Sequence, residues 1–366
     1  MKRLDGYKMN FVVVGCAVAV VFCGGHANAH FIFGEPVNLG PAVNAPSSWQ
    51  GEPSISADGL ALYFVSNRPG GAGDSDLWVA IRPTTEDDWG LPMNLGPTVN
   101  SIAKDENPCV SMDGLELYFA SNRAGSYGGH DIWVSRRPTT DDAWGTPINL
   151  GPIVNTGMMD ITPCIAADGF SLYLACYQRD RIGCYDLFVT RRATTDSPWD
   201  EPIRLGPDVN YPYNDVAPCI SADGLTLFYT RGAEPLCASL WMTNRATTSE
   251  LWNPAVCCFS MFDASSFDYA PSISADGSIL YFESNRPGRF GDSDIWQMSI
   301  EPVVDFNKDG IVNAHDMSIM VAHWGEDYPL CDIGPTPLGD RIVDVQDLIV
   351  LAEHLFEEYP PGGYVE

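Results

Sequence analysis

Short apolar runs separated by polar turns fill most of the chain. Typical runs are LALYFVS and DLWVAI, which are rich in the β-branched and aromatic residues that favour strands. Asp-Gly dipeptides precede many of these runs, and Asp-Gly favours the tight turn of a two-stranded hairpin. The pattern therefore predicts a mainly β fold built from short antiparallel strands.

The hairpin pattern recurs five times along the chain. Its Asp-Gly dipeptides follow one another in steps of 55, 55, 55 and 53 residues and begin at Asp58, Asp113, Asp168, Asp223 and Asp276. Each repeat continues with a polar loop, a second strand-like run and, in most copies, a unit such as WGLPMNLG. Four short strands in every ~55 residues match a propeller blade better than a solenoid coil. We expect a five-bladed β-propeller with four-stranded blades.

The two ends of the repeat array are complementary. The fifth repeat stops at DIWQMSIEP without a fourth strand, and the segment FGEPVNLG, from Phe33, supplies one before the first repeat. Phe33 stands where other copies carry Trp89, Trp144 and Trp199. A closed ring needs its last blade joined to its first, whereas an open array needs polar caps. The sequence thus predicts that the N-terminal strand closes the propeller.

The recurring pattern LYF.SNR.GG.G..D.W resembles the TolB-type (WD40-like) β-propeller repeat. The resemblance covers about residues 31 to 303 of a propeller domain that we place at residues 30 to 303. It is strongest in the first, second and fifth repeats; the third has CYQRDR in place of SNR, and the fourth has Ser239 where the others have aspartate. The resemblance implies a fold that is often used for binding, and it implies no single chemistry.

Four aspartates recur three residues before the proline that opens the first strand of a repeat; they are Asp105, Asp160, Asp215 and Asp268. The first repeat has Gln50 there, with Glu52 nearby. Because the first strand of each blade lines the central channel, these carboxylates could form a ring at one channel mouth. Such a ring could bind a cation or sugar hydroxyls, or act as acid and base, as inner-strand carboxylates do in some five-bladed glycosidases. The alternative is structural, with each aspartate capping a turn and contacting the neighbouring blade.

Other repeated polar residues are interpreted as structural. The arginines of the SNR units and the aspartates that open the third strands are expected to tie the two middle strands of a blade together; they are Arg68, Arg123, Arg286, Asp76, Asp131 and Asp294. Cys109, Cys164 and Cys219 occupy one repeated position and are expected to be small buried residues, too far apart for a disulfide. Cys176 and Cys184 flank one loop and could close it.

The segment DFNKDGIVNAHD, residues 305 to 316, departs from the strand pattern. Oxygen donors take positions 1, 3, 5, 7, 9 and 12 of a calcium-binding loop; they are Asp305, Asn307, Asp309, the backbone carbonyl of Ile311, Asn313 and Asp316. Gly310 stands at position 6, where the loop turns sharply. Alternate side chains of such a loop converge, and hard oxygen ligands suit Ca²⁺. We therefore predict calcium as a cofactor.

A second loop repeats this arrangement less completely. Three carboxylates fall at positions 5, 9 and 12; they are Asp340, Asp344 and Asp347. Arg341 replaces the glycine, and Thr336 and Leu338 stand where acidic ligands belong. Asp332 could substitute only if IGPTPLG bulges. Apolar residues at helical spacing follow each loop and predict one helix per loop.

These two loop–helix units are similar to a type I dockerin, and we place this domain at residues 304 to 358. The resemblance implies EF-hand-type calcium loops and docking to a cohesin-like partner. The partner-contacting positions of that family fall on Ala314, His315, Val345 and Gln346. They differ between the two halves, so interchangeable two-way docking is not expected.

The N-terminus is predicted to be an export signal. Basic residues precede an apolar run from Phe11 to Cys23, and HANAH offers small residues before His30, so residues 1 to 29 are expected to be removed. We therefore expect a secreted, cell-surface or periplasmic protein with no membrane span after cleavage. The Pro- and Gly-rich residues 359 to 366 are expected to form a disordered tail.

The formal net charge of −28 limits the range of partners. Such a surface repels phosphate backbones and argues against nucleic acid. Our main expectation is a non-catalytic binding protein whose propeller recognises a polysaccharide or cell-envelope component and whose dockerin-like domain docks to a partner. One alternative is an O-glycosyl hydrolase acting in polysaccharide breakdown through the channel carboxylates. Another is a structural protein–protein platform of the cell envelope. Regular repeats favour binding, because an active site normally breaks their symmetry.

Overall fold

The computed structural model describes residues 18–19, 31–177, 185–233, 237–258 and 267–358. Its strands form five antiparallel sheets, one for each sequence repeat. In four sheets the strands lie side by side in chain order, and the fifth sheet also takes in strands from the N-terminus. The prediction of a mainly β, five-bladed propeller is therefore confirmed.

The strands of the propeller are as follows. The N-terminal segment contributes β1 (Val18–Ala19), β2 (Phe31–Phe33) and β3 (Val37–Asn38). Blade one contains β4 (Gln50–Ile55), β5 (Ala61–Ser66), β6 (Asp76–Ile81) and β7 (Met93–Asn94). Blade two contains β8 (Asp105–Val110), β9 (Glu116–Ser121), β10 (Asp131–Arg136) and β11 (Ile148–Asn149). Blade three contains β12 (Asp160–Ile165), β13 (Ser171–Tyr177), β14 (Tyr185–Arg191) and β15 (Ile203–Arg204). Blade four contains β16 (Asn214–Ile220), β17 (Thr226–Ala233), β18 (Cys237–Asn244) and β19 (Val256–Cys257). Blade five contains β20 (Asp268–Ile273), β21 (Ile279–Ser284) and β22 (Asp294–Pro302).

The Asp-Gly dipeptides form the turns between the first and second strands. In blade one, Asp58 Oδ1 accepts hydrogen bonds from the Ser56 hydroxyl and the Leu60 N–H. Gly59 has φ +71°, a left-handed conformation that glycine adopts without steric cost. Local sequence thus fixes each hairpin.

Apolar side chains pack between neighbouring blades. Tyr63 and Val65 of blade one share a buried cluster with Leu117 and Phe119 of blade two. Burying a large apolar side chain contributes roughly 1.5–3 kcal/mol, so such clusters hold successive blades together.

The N-terminal strands close the ring. β3 pairs with β22 through the partners Val37–Gln297 and Asn38–Trp296, and it is the fourth strand of blade five. β2 pairs with the last residues of β22, where Phe33 is buried. The closure has the form that the sequence predicts.

The repeated arginines and aspartates do not pair with each other. Arg123, just after the second strand, bonds to Asp105 of the first strand at 2.5 Å. Asp131 accepts two N–H groups of the preceding loop and the side-chain amide of Asn149 on the fourth strand. The expectation that these residues tie the two middle strands together is wrong, because the short aspartate side chain reaches its own loop first.

The C-terminal residues form a second, small core. It contains α1 (Ala314–Ala322) and α2 (Val345–Glu353), the only α-helices in the described residues. Each helix begins with a reciprocal capping box, formed by Asn313 with Asp316 and by Asp344 with Asp347. The buried side chains between them are Val304, Phe306, Val312, Met320, Cys331, Ile333, Val343 and Leu351.

The second loop of this module rests on the propeller. Leu338 packs against the apolar cluster between blades four and five, beside Gly277. Arg341 donates to the backbone carbonyl of Ala246 and pairs with Asp327. The module therefore sits at the end of the propeller where the Asp-Gly turns lie.

Several expectations concern residues outside this description. The predicted signal peptide, apart from β1, and the predicted tail at 359–366 lie outside it, as does Cys184, the expected partner of Cys176. Among the residues that are described, no helix is long and apolar enough to cross a membrane.

Candidate functional site at the mouth of the central channel

The first strand of each blade lines the central channel with three consecutive residues. In blade one these are Glu52, Pro53 and Ser54. Glu52 has a φ of 55° and lies at a β-bulge, where the register with β5 shifts. The same positive φ recurs at Asn107, Thr162, Ala217 and Ala270. Because every blade has it, this conformation belongs to the blade architecture and not to one site.

Side chains at the bulge link each blade to the next. The Asn107 N–H donates to Glu52 Oε2 at 2.7 Å, and the Thr162 N–H donates to Asn107 Oδ1 at 3.3 Å. The Ala217 N–H donates to Thr162 Oγ1 at 3.1 Å. Each contact satisfies a buried N–H group that the bulge removes from the strand ladder.

Blades four and five lack such an acceptor, because Ala217 and Ala270 have no polar side chain. The second strand supplies it instead. In blade four, Thr230 Oγ1 accepts the Ala270 N–H at 3.0 Å. In blade five, Glu283 stands at the corresponding strand position, close enough to the Glu52 N–H for this group to lower its pKa. A threonine is sufficient for this contact, whereas Glu283 brings a complete carboxyl group.

Glu283 is 3% exposed. Its Oε1 accepts hydrogen bonds of 2.6 Å from Trp49 Nε1 and from the Ser293 hydroxyl. Its Oε2 has no hydrogen-bond partner among the described residues and occupies the space that a side chain on Gly51 would fill. Burial raises the pKa of Glu283 to about 7, against the lowering effect of its hydrogen bonds.

Two more glutamates lie near Glu283. Glu52 is 9% exposed, and burial followed by the charges of Glu106 and Glu283 raises its pKa well above the usual value. Glu106 accepts the Ser75 hydroxyl at 2.7 Å and lies 3.4 Å from His130 Nε2. Burial lowers the pKa of His130, so its imidazole supplies no counter-charge near neutral pH.

Tyr269 completes the group. Burial, and then the charges of Glu52 and Glu283, raise the pKa of its hydroxyl. We call the five residues Glu52, Glu106, His130, Tyr269 and Glu283 the acidic mouth. Its members come from blades five, one and two; Glu52 lines the channel, and the other four are grouped around Glu52.

The acidic mouth breaks the symmetry of the repeats. At the position of Glu283 the other blades carry Val65, Ala120, Ala175 and Thr230. At the position of Glu106 they carry Gly51, Ile161, Val216 and Tyr269. At the position of Glu52 they carry Asn107, Thr162, Ala217 and Ala270. The blade architecture therefore requires none of the three carboxylates.

The four aspartates named by the sequence lie elsewhere. They stand at or beside the start of the first strand, and none is among the residues that line the channel. Three are buried in ion pairs within their own blades: Asp105–Arg123 at 2.5 Å, Asp215–Arg231 at 2.6 Å and Asp268–Arg286 at 2.6 Å. Asp160 instead accepts the N–H and hydroxyl of Thr156. Asp105, Asp160 and Asp215 also accept the N–H group four residues earlier, which agrees with the expected turn capping. The arginine pairs lie within one blade, so the expected side-chain contact with the neighbouring blade is wrong for the three aspartates in these pairs.

A second ring of side chains lines the channel two residues further along each first strand. The Sγ atoms of Cys109, Cys164 and Cys219 accept the N–H groups of Ile165, Ile220 and Ile273 at 3.4, 3.4 and 3.3 Å. The hydroxyls of Ser54 and Ser272 accept those of Val110 and Ile55 at 3.1 Å each. Each of these cysteines thus accepts a hydrogen bond from a backbone N–H group of the next blade. The neighbouring Cys164 thiol and burial raise the pKa of Cys109, which makes it a poor nucleophile.

The first C-terminal loop has the donors that the calcium prediction names. The buried Asp305 carboxylate accepts the N–H groups of Asp309 and Gly310 at 3.2 and 2.9 Å. Asp316 accepts the Asn313 N–H, and Gly310 turns the chain with φ +89°. The donor set is entirely oxygen and fits Ca²⁺ in its chemistry. No group of three or more His, Cys, Asp or Glu side chains in the described residues has metal-holding geometry, so calcium stays a prediction.

The second loop is longer than a simple count suggests. Asp332 accepts the N–H groups of Asp340 and Arg341 at 2.8 and 2.7 Å, as Asp305 does in the first loop. Arg341 takes a φ of 75°, the conformation of Gly310 in the first loop. Asp332, and not Thr336, therefore begins the loop, because residues between Asp332 and Asp340 bulge.

The four expected partner-contacting residues are Ala314, His315, Val345 and Gln346. All are exposed, in the first turns of α1 and α2. They are free of the packing between the two helices and available to a partner.

The sequence interpretation named Glu52 only as a neighbour and did not name Glu106, His130 or Glu283. A signal existed, because the strand runs YFVSNR and YFASNR become YFESNR in the fifth repeat. A charged residue that replaces an apolar one within an otherwise regular repeat marks a departure from what the fold needs.

No protein-family model and no curated protein matches this chain at a significant level. Solved structures share its fold. An α-L-arabinofuranosidase from Lactobacillus brevis has a TM-score of 0.51 at 14% identity, over 74% of this chain and 95% of that one. The α-L-arabinofuranosidase PaAbf62A from Podospora anserina, in complex with cellotriose, has a TM-score of 0.50 at 12% identity, over 74% and 98%. A putative TolB from Agrobacterium tumefaciens has a TM-score of 0.41 at 17% identity, over 70% and 80%.

At these identities the comparisons show the fold alone. The two α-L-arabinofuranosidases share the propeller fold with this chain. A shared fold assigns no activity, so the choice between binding and hydrolysis depends on the site.

Proposed function

We propose that the protein is an exported recognition protein whose propeller binds a polysaccharide at the acidic mouth. The observation that carries a functional site here is the local break in symmetry, since three carboxylates in neighbouring blades are not needed by the fold. Charged side chains that the fold does not require are candidates for ligand contact. The same break is typical of an active site, so hydrolysis is the second candidate.

Exposed aromatic residues at the same end of the propeller support a glycan ligand. Tyr211 and Tyr213 precede β16, with ring centroids 5.9 Å apart, and Tyr127 precedes β10. Residues before the first and third strands lie at the same end of an antiparallel blade, which is the end of the acidic mouth. Tyrosine offers an apolar ring and a hydroxyl, which suits the mixed surface of a sugar.

One observation favours hydrolysis as a second candidate. Because the pKa of Glu283 is about 7, this carboxyl is about half protonated at neutral pH. A carboxyl with such a pKa can act as a general acid, and Glu52 and Glu106 offer further carboxyl groups nearby.

Binding and reducing-end release over a panel of polysaccharides would separate these functions. We expect binding without release, weakened by Glu106→Gln and unchanged by Glu201→Gln, an exposed carboxyl outside the channel. Release that disappears in Glu283→Gln while binding persists would establish a hydrolase instead. Neither binding nor release would favour the protein–protein platform.

The second half of the proposal concerns the C-terminal module. We propose that calcium in the first loop, held by Asp305, Asn307, Asp309, Ile311, Asn313 and Asp316, folds this module for docking to a cohesin-like partner. The oxygen-only donor set and the exposed first turns of both helices support this. In the second loop, Asp340, Asp344 and Asp347 would act together with Asp332.

A further inference from the structure

We infer that the acidic mouth binds a primary ammonium group, such as that of a de-N-acetylated amino sugar. This inference rests on the proposed function, because it names the class of glycan that the mouth would recognise.

The protein supplies no cationic side chain to Glu52 or Glu283 within the described residues. Both are buried, and neither takes part in an ion pair there. Lys104 lies 3.9 Å from Glu106, and its side chain is about half exposed. A buried carboxyl group is stabilised by a proton or by a cation. A cationic ligand would take the place of the protons and allow Glu52 and Glu283 to ionise.

The chain makes room for an acceptor that the blade contact does not require. Thr230 shows that a hydroxyl is sufficient to accept the N–H group of the next blade. Glu283 stands at the corresponding position and holds Oε2, buried and without a hydrogen-bond partner in the described residues, above Gly51. Any side chain at position 51 would displace this oxygen. Glycine here and glutamate opposite therefore form a matched pair that the other blades lack.

Ammonium suits the acidic mouth better than guanidinium does. Hydrogen bonds from the protein engage Oε2 of Glu52 and Oε1 of Glu283, so one oxygen of each carboxyl group already has a partner. Guanidinium prefers both oxygens of one carboxylate, whereas the compact ammonium group directs three donors to separate acceptors.

The surroundings suit an ammonium group on a sugar. Tyr269 places an aromatic ring beside Glu52 and Glu283, and cations are attracted to aromatic faces. Glu106 and His130 are partly exposed and form the outer part of the mouth. Glu52 lines the channel, so a ligand in the channel would place its cation against Glu52, where the charges of Glu106 and Glu283 also act.

The test is calorimetric titration of the full chain at pH 7 with three probes. The probes are the glucosamine trisaccharide, its fully N-acetylated counterpart and the triamine spermidine. The two trisaccharides differ only in the acetyl groups that remove the positive charge. We expect the glucosamine trisaccharide to bind at least tenfold more tightly than the N-acetylated one.

Variants locate the site. Glu283→Gln and Glu52→Gln keep the side-chain shape and remove the charge, and each should weaken glucosamine binding at least tenfold. Glu106→Gln, at the partly exposed edge, serves the same purpose if a buried substitution impairs folding. Glu201→Gln is the matched control and should leave binding unchanged.

The outcomes separate this inference from the proposed function. Equal binding of the two trisaccharides, or glucosamine binding that all three mouth variants retain, would overturn the ammonium inference and leave glycan recognition intact. Tighter binding of spermidine than of glucosamine, lost in the same variants, would keep the ammonium site and assign it to a polyamine. No binding of any probe, together with no binding across the polysaccharide panel, would overturn both.

Discussion

At the scale of single residues, Glu283 combines two roles. Its Oε1 accepts hydrogen bonds from Trp49 and Ser293, and the Trp49 bond joins the last blade to the segment that leads into the first. The same burial that makes these contacts possible disfavours its charge. As a consequence, the stability of the folded state depends on pH.

The pKa of Glu283 predicts the direction of this dependence. Between its usual value of 4.5 and about 7, the folded state holds the proton that the unfolded state releases. The free energy of unfolding should therefore fall as pH rises through this window, by on the order of 3 kcal/mol from this group. Glu283→Gln has no proton to lose, so its stability should fall less between pH 5 and pH 8.

Denaturant unfolding of the two proteins at pH 5 and pH 8 measures the difference. Glu201→Gln, an exposed carboxyl, should follow the wild type at both pH values. Parallel curves for wild type and Glu283→Gln would show that this carboxyl is ionised at both pH values.

Asp105 provides a contrasting residue, because its charge is paired. Asp105→Ala would leave Arg123 without its partner in a largely buried position, and removing one partner of a buried pair costs about 3–5 kcal/mol. Asp160→Ala is the matched variant, because Asp160 bonds to Thr156 and has no arginine in the described residues.

Urea unfolding would compare the two alanine variants. Asp105→Ala should be the more destabilised, and any glycan binding should survive in the folded fraction of both. Loss of binding in a well-folded Asp105→Ala variant would return the aspartate ring to the functional site.

At the scale of elements, the second ring of side chains in the channel, made of Ser and Cys residues, couples the blades. Cys164 accepts the Ile220 N–H, and in two other blades a serine makes the same contact. Cys164→Ser should therefore preserve stability. Cys164→Val leaves the buried N–H without an acceptor and should lower the free energy of unfolding by roughly 1–3 kcal/mol.

Thermal unfolding of both variants tests whether the hydrogen bond or the packing of the thiol matters. If serine destabilises the protein as much as valine does, the thiol acts by packing alone. A stable serine variant would show that the ring is maintained by hydrogen bonding.

The elements also show what a sequence can predict. Hairpins, blades and the closing strand follow from local patterns, since Asp58 and Gly59 define a turn without help from distant residues. The site depends on contacts between distant segments. Glu283 meets Gly51 and Glu52 only because blade five adjoins blade one, and the bulge at Glu52 sets which side chains enter the channel.

The second C-terminal loop illustrates the same limit. Counting back from Asp340 assumes a fixed loop length and arrives at Thr336. Hydrogen bonds in the folded chain instead select Asp332, since its carboxylate accepts the N–H groups of both Asp340 and Arg341. A loop that bulges cannot be placed by counting.

At the scale of the whole molecule, the two candidate binding regions lie at opposite ends of the propeller. The acidic mouth is at the end where the first strands begin, and the module rests at the end of the Asp-Gly turns. A ligand at the mouth would therefore leave the exposed turns of α1 and α2 accessible to a partner. We therefore expect that a ligand at the mouth and a partner on the module could be bound at the same time.

Leu338 is the apolar contact that holds the module against the propeller. Leu338→Asp should release the module, because an ionised carboxylate is disfavoured against an apolar cluster. Small-angle scattering should show a larger radius of gyration, with the propeller melting temperature unchanged. Leu251→Asp, at an 88% exposed leucine of the propeller, should change neither. An unaltered radius in Leu338→Asp would show that Arg341 is sufficient to hold the module.

Calcium provides the last test at this scale. The module has a small core, so the free energy of metal binding would contribute most of its folding free energy. Excess chelator should remove the helical signal of residues 304 to 358 and leave propeller melting unchanged. Asp305→Ala should resemble the chelated protein, whereas His315→Ala, an exposed residue of the first helix turn, should still respond to calcium. A helical signal that persists in excess chelator would show that packing against the propeller through Leu338 folds the module without a metal.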